Sequence, residues 1–132
     1  MDDLFNDLWQ LPRSIKSHGG FQPAVDLYRR ENPAAIVAVV DLAGVDPSDL
    51  EIAVADGELL IVGNRARCAG GQRVLQLEIE HGEFRREIGL PEDVDANLAT
   101  ALFDQGFLTI TLPIAQRAVL RRSVTITMTR AT

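Results

Sequence analysis

The chain of 132 residues has the length of one ordinary domain with short extensions. Hydrophobic residues make up 46% and charged residues 24%, and no apolar run reaches about 18 residues. The composition therefore excludes a disordered polar chain and a helix that spans a membrane. The net charge is −6, with Lys16 as the only lysine and no basic stripe of arginines. We therefore expect neither nucleic acid nor a membrane as a partner.

Residues 1–22 differ from the rest of the chain and are predicted to form a flexible N-terminal arm. The polar, glycine-containing stretch RSIKSHGG ends any regular structure in this arm. Before it, large apolar residues lie on one side of a short predicted helix: Leu4, Phe5, Leu8 and Trp9. The arm is either a frayed terminus or an amphipathic patch that contacts other chains. The second alternative rests on its tryptophan, the only one in the chain.

The N-terminus and the cysteine content predict the compartment. The chain begins MDDLFNDLW, which is acidic where a secretory signal is basic and interrupted where a signal is apolar. The single cysteine, Cys68, cannot form a disulfide within the chain. We therefore expect a cytoplasmic protein.

From Pro23 onward the sequence shows the periods of strands and turns. AVDLYR is a short run, AAIVAVVDL is β-branched, and LEIAVA alternates, with Leu50, Ile52 and Val54 on one face. The dipeptide Asp56-Gly57 then turns the chain, and ELLIV follows at once. Residues 50–62 are therefore predicted to form a hairpin.

Further strands are predicted after a polar loop centred on Gly70-Gly71. VLQLEI alternates, His81-Gly82 turns the chain, and EFRREIGLP forms the next strand. Residues 93–98 are a loop or one helical turn. TALFDQGFLTITLP is a second hairpin with Gly106 at its bend, and its inward-facing residues are Leu108, Ile110 and Leu112. DGELLIV and QGFLTIT share a turn pattern, which we interpret as the same turn chemistry used twice.

Near its end the chain reads SVTITMT, in which Val124, Ile126 and Met128 alternate with threonines as in a half-buried strand. No turn and partner strand follow it in this sequence. A lone strand is not stable in water. The segment is therefore expected to dock on a surface, either of its own domain or of another chain.

Seven or eight short strands with almost no helix predict an all-β, Ig-like antiparallel β-sandwich. The predicted domain covers residues 23–114, and residues 115–132 form a flexible C-terminal extension.

The residues that common enzymes require are missing. Lys16 follows no glycine-rich phosphate-binding pattern, which excludes a P-loop. His18, His81 and Cys68 do not form a zinc cluster, because their spacing along the chain is too wide. No sequence motif of a serine or cysteine nucleophile occurs. We expect a protein that is not an enzyme and that uses no cofactor or metal.

Three stretches resemble the small heat shock proteins, the Hsp20 or α-crystallin family, in its bacterial form. ALFDQGFLTITLP is similar to the family signature A-x-x-x-n-G-v-L, with Ala101, Gly106 and Leu108 at the matching positions. DLAGVDPSDLEIAVADGELLIVGNR resembles the family stretch that begins D-L-P-G-V and ends D-G-x-L-x-I. GEFRREIGLPEDVDA is similar to the stretch G-x-F-x-R, L-P and V-D.

This resemblance implies an ATP-independent chaperone, a holdase that binds unfolding client proteins and prevents their aggregation. The client-binding residues would be those of the arm: Leu4, Phe5, Leu8 and Trp9. The SVTITMT segment resembles the C-terminal I-x-I motif, with Val124 and Ile126 as the matching pair. A shift to Ile126 and Met128 keeps the same face and remains open. The motif would bind a groove of a neighbouring subunit that is lined by Leu50, Ile52, Val54, Ala101 and Phe103.

The resemblance also implies a homo-oligomer built from strand-exchanged dimers. The long excursion between Val62 and Phe84 resembles the loop that carries a strand to the other protomer in bacterial and plant members. Arg86 occupies the arginine position of F-x-R, which the family associates with ion pairs at the dimer interface; the alternative is an ordinary exposed arginine. The exchanged strand would run from Val74 to Ile79 and present Val74, Leu75, Leu77 and Ile79.

Two other functions remain open from the sequence. A co-chaperone of the CS or p23-like type has a related sandwich, docks on one defined partner and does not self-assemble. An enzyme on the same scaffold would depend on His81 or Cys68.

Overall fold

A computed structural model describes residues 21–67, 70–116 and 124–131. The described residues form β1 (Val25–Arg30), β2 (Ala35–Asp41), β3 (Glu51–Ala55), β4 (Glu58–Arg65), β5 (Gly82–Gly89), β6 (Thr100–Asp104), β7 (Phe107–Pro113), β8 (Val124–Thr125) and β9 (Met128–Arg130). One sheet has the order β1-β2-β7-β6-β9 and the other the order β5-β4-β3-β8. Every strand pair is antiparallel except β6 with β9, which is parallel. The predicted all-β, Ig-like sandwich is confirmed.

The core lies between the two sheets because each strand turns an apolar face inward. On β7, Leu108, Ile110 and Leu112 are fully buried, as predicted, while the threonines between them are partly exposed. The other strands complete the core with Ile36, Ala38, Val40, Ile52, Val54, Leu59, Ile61 and Phe84. Burial of each large aliphatic side chain contributes about 1.5–3 kcal/mol, so this alternating pattern supplies most of the favourable free energy of folding.

The two predicted hairpins use the same turn. Asp56 and Gly57 have φ angles of 50° and 77°, and Gln105 and Gly106 have φ angles of 52° and 84°. Two consecutive residues with positive φ are the mark of a type I′ turn, whose twist matches that of the flanking strands. The interpretation of one turn chemistry used twice is confirmed. The single helical turn allowed within residues 93–98 is a 3-10 helix at Ala96–Leu98.

The strand predicted over residues 74–79 does not form in the described chain. The side chains of Val74, Leu75, Leu77 and Ile79 are 59–85% exposed. A strand obtains its hydrogen bonds from a neighbouring edge, and this segment pairs with none of the described strands. Alternation of apolar residues does not by itself supply a partner, and the predicted exchange of this strand with a second protomer stays a prediction, since the structure holds one chain.

Replacement of Gly106 by alanine tests the second hairpin turn. The new Cβ would lie 3.0 Å from the Ala43 Cα, and the residue would keep a positive φ. We expect the free energy of unfolding to fall by about 1–3 kcal/mol, measured by denaturant titration. Gly89→Ala is the control, because Gly89 lies in β5 with nothing within 4 Å of the added Cβ. Equal stabilities of the two variants would contradict this account of the turn.

Candidate functional site

A groove opens where β3, an outer strand of one sheet, meets β6 of the other. Apart from the tail strands β8 and β9, each of these strands pairs on one side only: β3 with β4, and β6 with β7. The structure brings together the residues that the sequence assigned to this groove: Leu50, Ile52, Val54, Ala101 and Phe103. Ile52, Val54 and Ala101 are buried, and Leu50 and Phe103 pack against the core from its rim.

The tail, residues 124–131, lies in this groove and pairs with both edges. In β8, Val124 pairs with Val54 and Thr125 with Ala53, antiparallel. The Ile126 N–H then donates to the Ile52 carbonyl at 3.0 Å. In β9, Met128 pairs with Ala101 in parallel, and the Ala131 N–H donates to the Phe103 carbonyl at 3.1 Å. The tail therefore crosses from one sheet to the other and satisfies backbone groups of both.

Ile126 is the central apolar contact of the tail. Its side chain is 7% exposed and belongs to the core, and Met128 packs against the same core. Val124 is half-buried, while Thr125, Thr127 and Thr129 face solvent. The sequence left open whether the anchoring pair is Val124 with Ile126 or Ile126 with Met128. Ile126 belongs to both pairs, and in the structure it is the most buried of the three residues.

The groove that holds the tail belongs to the same chain. The sequence assigned the tail to a neighbouring subunit, with its own domain as the alternative, and the single chain shows the alternative arrangement. A tail tethered a few residues from its own groove has a high effective concentration there. This arrangement fixes the place where the tail binds, and binding to a second subunit is taken up below as a proposal.

One exposed ion pair connects the tail to the loop before β3. The Arg130 guanidinium lies 3.6 Å from Asp46, and both side chains are about two-thirds exposed. The Ser48 N–H and hydroxyl donate to Asp46 at 3.0 and 2.9 Å. These bonds, with a smaller effect from Arg130, hold the pKa of the Asp46 carboxyl below its usual 3.8. Because such exposed pairs are weak, the tail is held by Ile126 and by its backbone bonds.

The residues predicted for the dimer interface occupy two regions. The apolar side chains at positions 74–79 are exposed on the long loop after β4. Arg86, on β5, donates from Nη1 to the Pro23 carbonyl at 2.7 Å and so anchors the segment that leads into β1. Its predicted role in ion pairs between protomers stays a prediction, since the structure holds one chain.

The sequence did not single out Arg85, which is fully buried on β5. Its Nε donates to the Glu87 carboxylate at 2.8 Å, and the Glu87 side chain is 9% exposed. A buried charge requires such a partner. The sequence feature that could have indicated this pair is that Arg85 and Glu87 are two positions apart, which places both side chains on the same face of a strand.

No group of three or more His, Cys, Asp or Glu side chains within the described ranges is arranged to hold a metal ion. His81 directly precedes β5 without the predicted turn, and its Nδ1 lies 2.8 Å from the Ile79 carbonyl oxygen. Cys68 and the arm residues Leu4, Phe5, Leu8 and Trp9 lie outside the described residues. Among the described residues, no helix has the length and apolarity to cross a membrane.

The fold is thus a β-sandwich whose tail completes two sheet edges and whose long loop exposes apolar side chains. A model of the Hsp20/alpha crystallin family matches residues 28–127. The chain belongs to this family, as the sequence resemblance implied. Its members are small heat shock chaperones rather than enzymes, which supports a chaperone role for this chain and does not favour the co-chaperone alternative.

Individual relatives agree with the family match. The wheat (Triticum aestivum) 16.9 kDa class I heat shock protein 1 is 35% identical over 128 residues, which are 86% of this chain and 85% of that protein. The rice (Oryza sativa subsp. japonica) 19.0 kDa class II heat shock protein is 34% identical over 96 residues. These residues are 67% of this chain and 55% of the rice protein. A Xylella fastidiosa small heat-shock protein, whose crystal structure is described as revealing a distinct high order structure, has a TM-score of 0.63 and 33% identity. That match covers 76% of this chain and 92% of the Xylella chain.

Ile126→Ala tests whether the side chain of Ile126 holds the tail. Truncation of a buried isoleucine costs about 2–5 kcal/mol, which exceeds the stability expected for strands of two and three residues. We expect the tail to detach, so that the amides of residues 124–131 exchange with deuterium as fast as those of an unstructured peptide. Thr127→Ala is the control, because Thr127 faces solvent in the same tail. Slow exchange in the Ile126 variant would contradict this assignment.

Proposed function

We propose that the protein is an ATP-independent holdase of the cytoplasm that binds unfolding proteins and keeps them from aggregating. The observation that carries the proposal is the groove between β3 and β6, which is closed by strands of two and three residues. A closure this short is reversible. When it opens, it offers backbone edges and an apolar groove, which are the features that an unfolding chain also exposes. Binding of this kind lowers the concentration of free unfolded protein without a chemical step.

The arm is proposed to provide further client contacts. Its four large apolar residues, Leu4, Phe5, Leu8 and Trp9, lie on one side of a predicted helix. A side of this kind binds exposed apolar segments through burial of surface and needs no defined client sequence. The division into an arm of residues 1–22, a domain of residues 23–114 and an extension of residues 115–132 stays a prediction within this proposal.

We propose that strand-exchanged dimers are the building block of a homo-oligomer. β1 is the outermost strand of its sheet and is paired on one side only, with β2, among the described residues. It has six residues, the length of the exposed segment Val74–Ile79. Pairing of this segment with β1 of a second protomer would supply the hydrogen bonds that the segment lacks in the single chain and would bury its apolar side chains. Arg86 is close to the start of β1, because its guanidinium donates to the carbonyl of Pro23, two residues before that strand.

The tail is proposed to bind the equivalent groove of a neighbouring subunit in the assembly. Residues 114–123 lie between β7 and the tail, and ten residues span up to about 33 Å, which is enough to reach another domain. The contacts would be the same as those within the chain, with Val124, Ile126 and Met128 against Leu50, Ile52, Val54, Ala101 and Phe103. Exchange of the tail from its own groove to that of a neighbouring subunit then requires release of the tail but no new kind of contact.

An aggregation assay tests the holdase. We expect the full chain, at a near-stoichiometric ratio and without nucleotide, to suppress light scattering by a heated client protein, because the groove and arm bind its apolar segments. Removal of the residues after Ala118 is expected to lower the native mass of the assembly. No suppression at several-fold excess would contradict the holdase, and an unchanged monomeric mass with and without the tail would favour the co-chaperone alternative.

Substitution in the long loop tests the dimer. Leu77→Asp combined with Ile79→Asp places charge in the proposed exchanged strand, and we expect the native mass to fall to that of a monomer. The control is Leu98→Asp, because Leu98 is 63% exposed, close to the 59% of Leu77, but lies in the 3-10 helix before β6. Native mass spectrometry at micromolar concentration distinguishes the species. A dimer that persists in the double variant would contradict strand exchange.

A further inference from the structure

Sulfur is confined to three residues of this chain. Met1, Cys68 and Met128 are the residues that carry a sulfur atom, and Met128 is the one of the three that lies within the described ranges. The buried residues of the core between the sheets are all aliphatic or aromatic. Thiols and thioethers are the side chains that peroxides oxidise most readily. Within the described fold, such an oxidant therefore has its target in the tail and not in the core.

Met128 combines contact with the core and contact with solvent. Its side chain is half-buried and packs against the core cluster. Thr127 and Thr129, on either side of it, are exposed. A fully buried thioether is closed to an oxidant, and a fully exposed one can be oxidised without effect on the fold. Met128 lies between these limits, so oxidation there can both occur and disturb packing.

The strand β9 depends on Met128 for its apolar contact with the domain. It consists of Met128, Thr129 and Arg130 and pairs in parallel with β6, where Met128 lies opposite Ala101. Ala101 is 2% exposed and belongs to the core, whereas Thr129 and Arg130 are exposed. The ion pair of Arg130 with Asp46 is itself exposed and adds little. Loss of the Met128 contact would leave β9 with little more than its backbone bonds.

We propose that Met128 is a site of reversible sulfoxidation and that its oxidation releases the tail from the groove. The thioether sulfur attacks one oxygen of hydrogen peroxide, so that the S–O bond forms while the O–O bond breaks, and the other oxygen leaves as water with both protons. The sulfur loses two electrons and the peroxide gains them. A methionine sulfoxide reductase reverses the step, because a pair of thiols returns the two electrons and the oxygen leaves as water.

The sulfoxide is incompatible with the docked position of this side chain. Its oxygen is a strong hydrogen-bond acceptor, and an acceptor held against apolar surface without a donor costs free energy. The surface beneath Met128 is the apolar core. The side chain must either keep the oxygen there or turn it to water and give up the contact. Because strands of two and three residues close the groove, the loss of one apolar anchor is a large share of what holds the tail.

The proposal applies to the contact between the tail and the groove, whichever subunit provides the groove. Oxidation of the sulfur and release of the tail are both measured without a client protein. Failure of this proposal and failure of the proposed holdase activity are therefore distinguishable.

Hydrogen peroxide treatment of the full chain in a Cys68→Ser background tests the site. This substitution removes the thiol and leaves Met1 and Met128 as the sulfur atoms. We expect peptide mass spectrometry to find one added oxygen atom on Met128, with the strand content unchanged by circular dichroism.

Hydrogen exchange of the same sample measures release of the tail. The Ile126 and Ala131 amides donate to the carbonyls of Ile52 and Phe103 in the docked tail. After oxidation we expect both amides to exchange with deuterium faster, by on the order of tenfold or more. The amides of β7, which lies in the interior of its sheet, are expected to be unchanged. Treatment with a methionine sulfoxide reductase and a thiol reductant is expected to restore slow exchange of the tail.

Variants at position 128 provide the controls. Met128→Leu keeps an apolar side chain of similar volume without sulfur, so its tail is expected to exchange slowly before and after peroxide, although Met1 is still present to be oxidised. Met128→Ile is a second sulfur-free variant, used if leucine loosens the tail. Met128→Gln places a polar group on a side chain of similar length, and its tail is expected to exchange fast without any oxidant.

Three outcomes overturn the proposal. Oxidised Met128 in a tail that still exchanges slowly would show that the groove accommodates the sulfoxide. Oxidation of Met1 without oxidation of Met128 would show that the docked sulfur is closed to peroxide. Faster exchange after peroxide in the sulfur-free variants would assign the release of the tail to another residue.

Discussion

Unpaired strand edges are the constraint on which this structure depends. A sandwich, unlike a closed barrel, leaves outer strands whose N–H and C=O groups face away from any neighbour. Here β3 and β6 are two such strands, and the groove between them leads directly to Ile52, Val54 and Ala101 in the core. The tail pairs with both edges although it is short, because it crosses from one sheet to the other at Ile126. The side chain of Ile126 closes the groove, and its N–H donates to the Ile52 carbonyl. Without the tail, two backbone edges and an apolar opening would face water together.

The same constraint links the structure to a chaperone role. A chain that unfolds exposes strand edges and apolar side chains, and we propose that the surface that accepts the tail also accepts such a chain. The tail interaction must be weak enough to exchange. Strands of two and three residues with one deeply buried side chain meet that condition, and the exposed Arg130–Asp46 pair adds little to it. Family membership supports a chaperone role, and the short closure of the groove is the feature on which the proposed holdase activity rests.

The two outer faces show how differently similar strands are used. β2 and β4 are both rich in β-branched and aliphatic residues, and each alternates between the core and the outside. On β2 the outward residues remain partly exposed, whereas on β4 Leu60 and Val62 are buried beside an ion pair of Arg85 with Glu87. The pairing of Ala53 with Leu60 and of Leu60 with Glu87 joins these residues into one continuous surface.

The sequence by itself determined the strands, the inward residues and the turns, because these depend on near neighbours: alternation places Leu108, Ile110 and Leu112 on one face, and a glycine after Asp56 or Gln105 permits a type I′ turn. It also placed the tail and its groove residues in one site through the family resemblance. Only the tertiary structure showed that the tail of the single chain lies in its own groove, that residues 74–79 lie unpaired there, and that Leu60 and Arg85 are buried. Each of these features depends on which segment, distant in the sequence, lies opposite the residues concerned. The alternation of apolar and polar residues predicts the side of the strand that a residue faces, but it does not predict what covers that side.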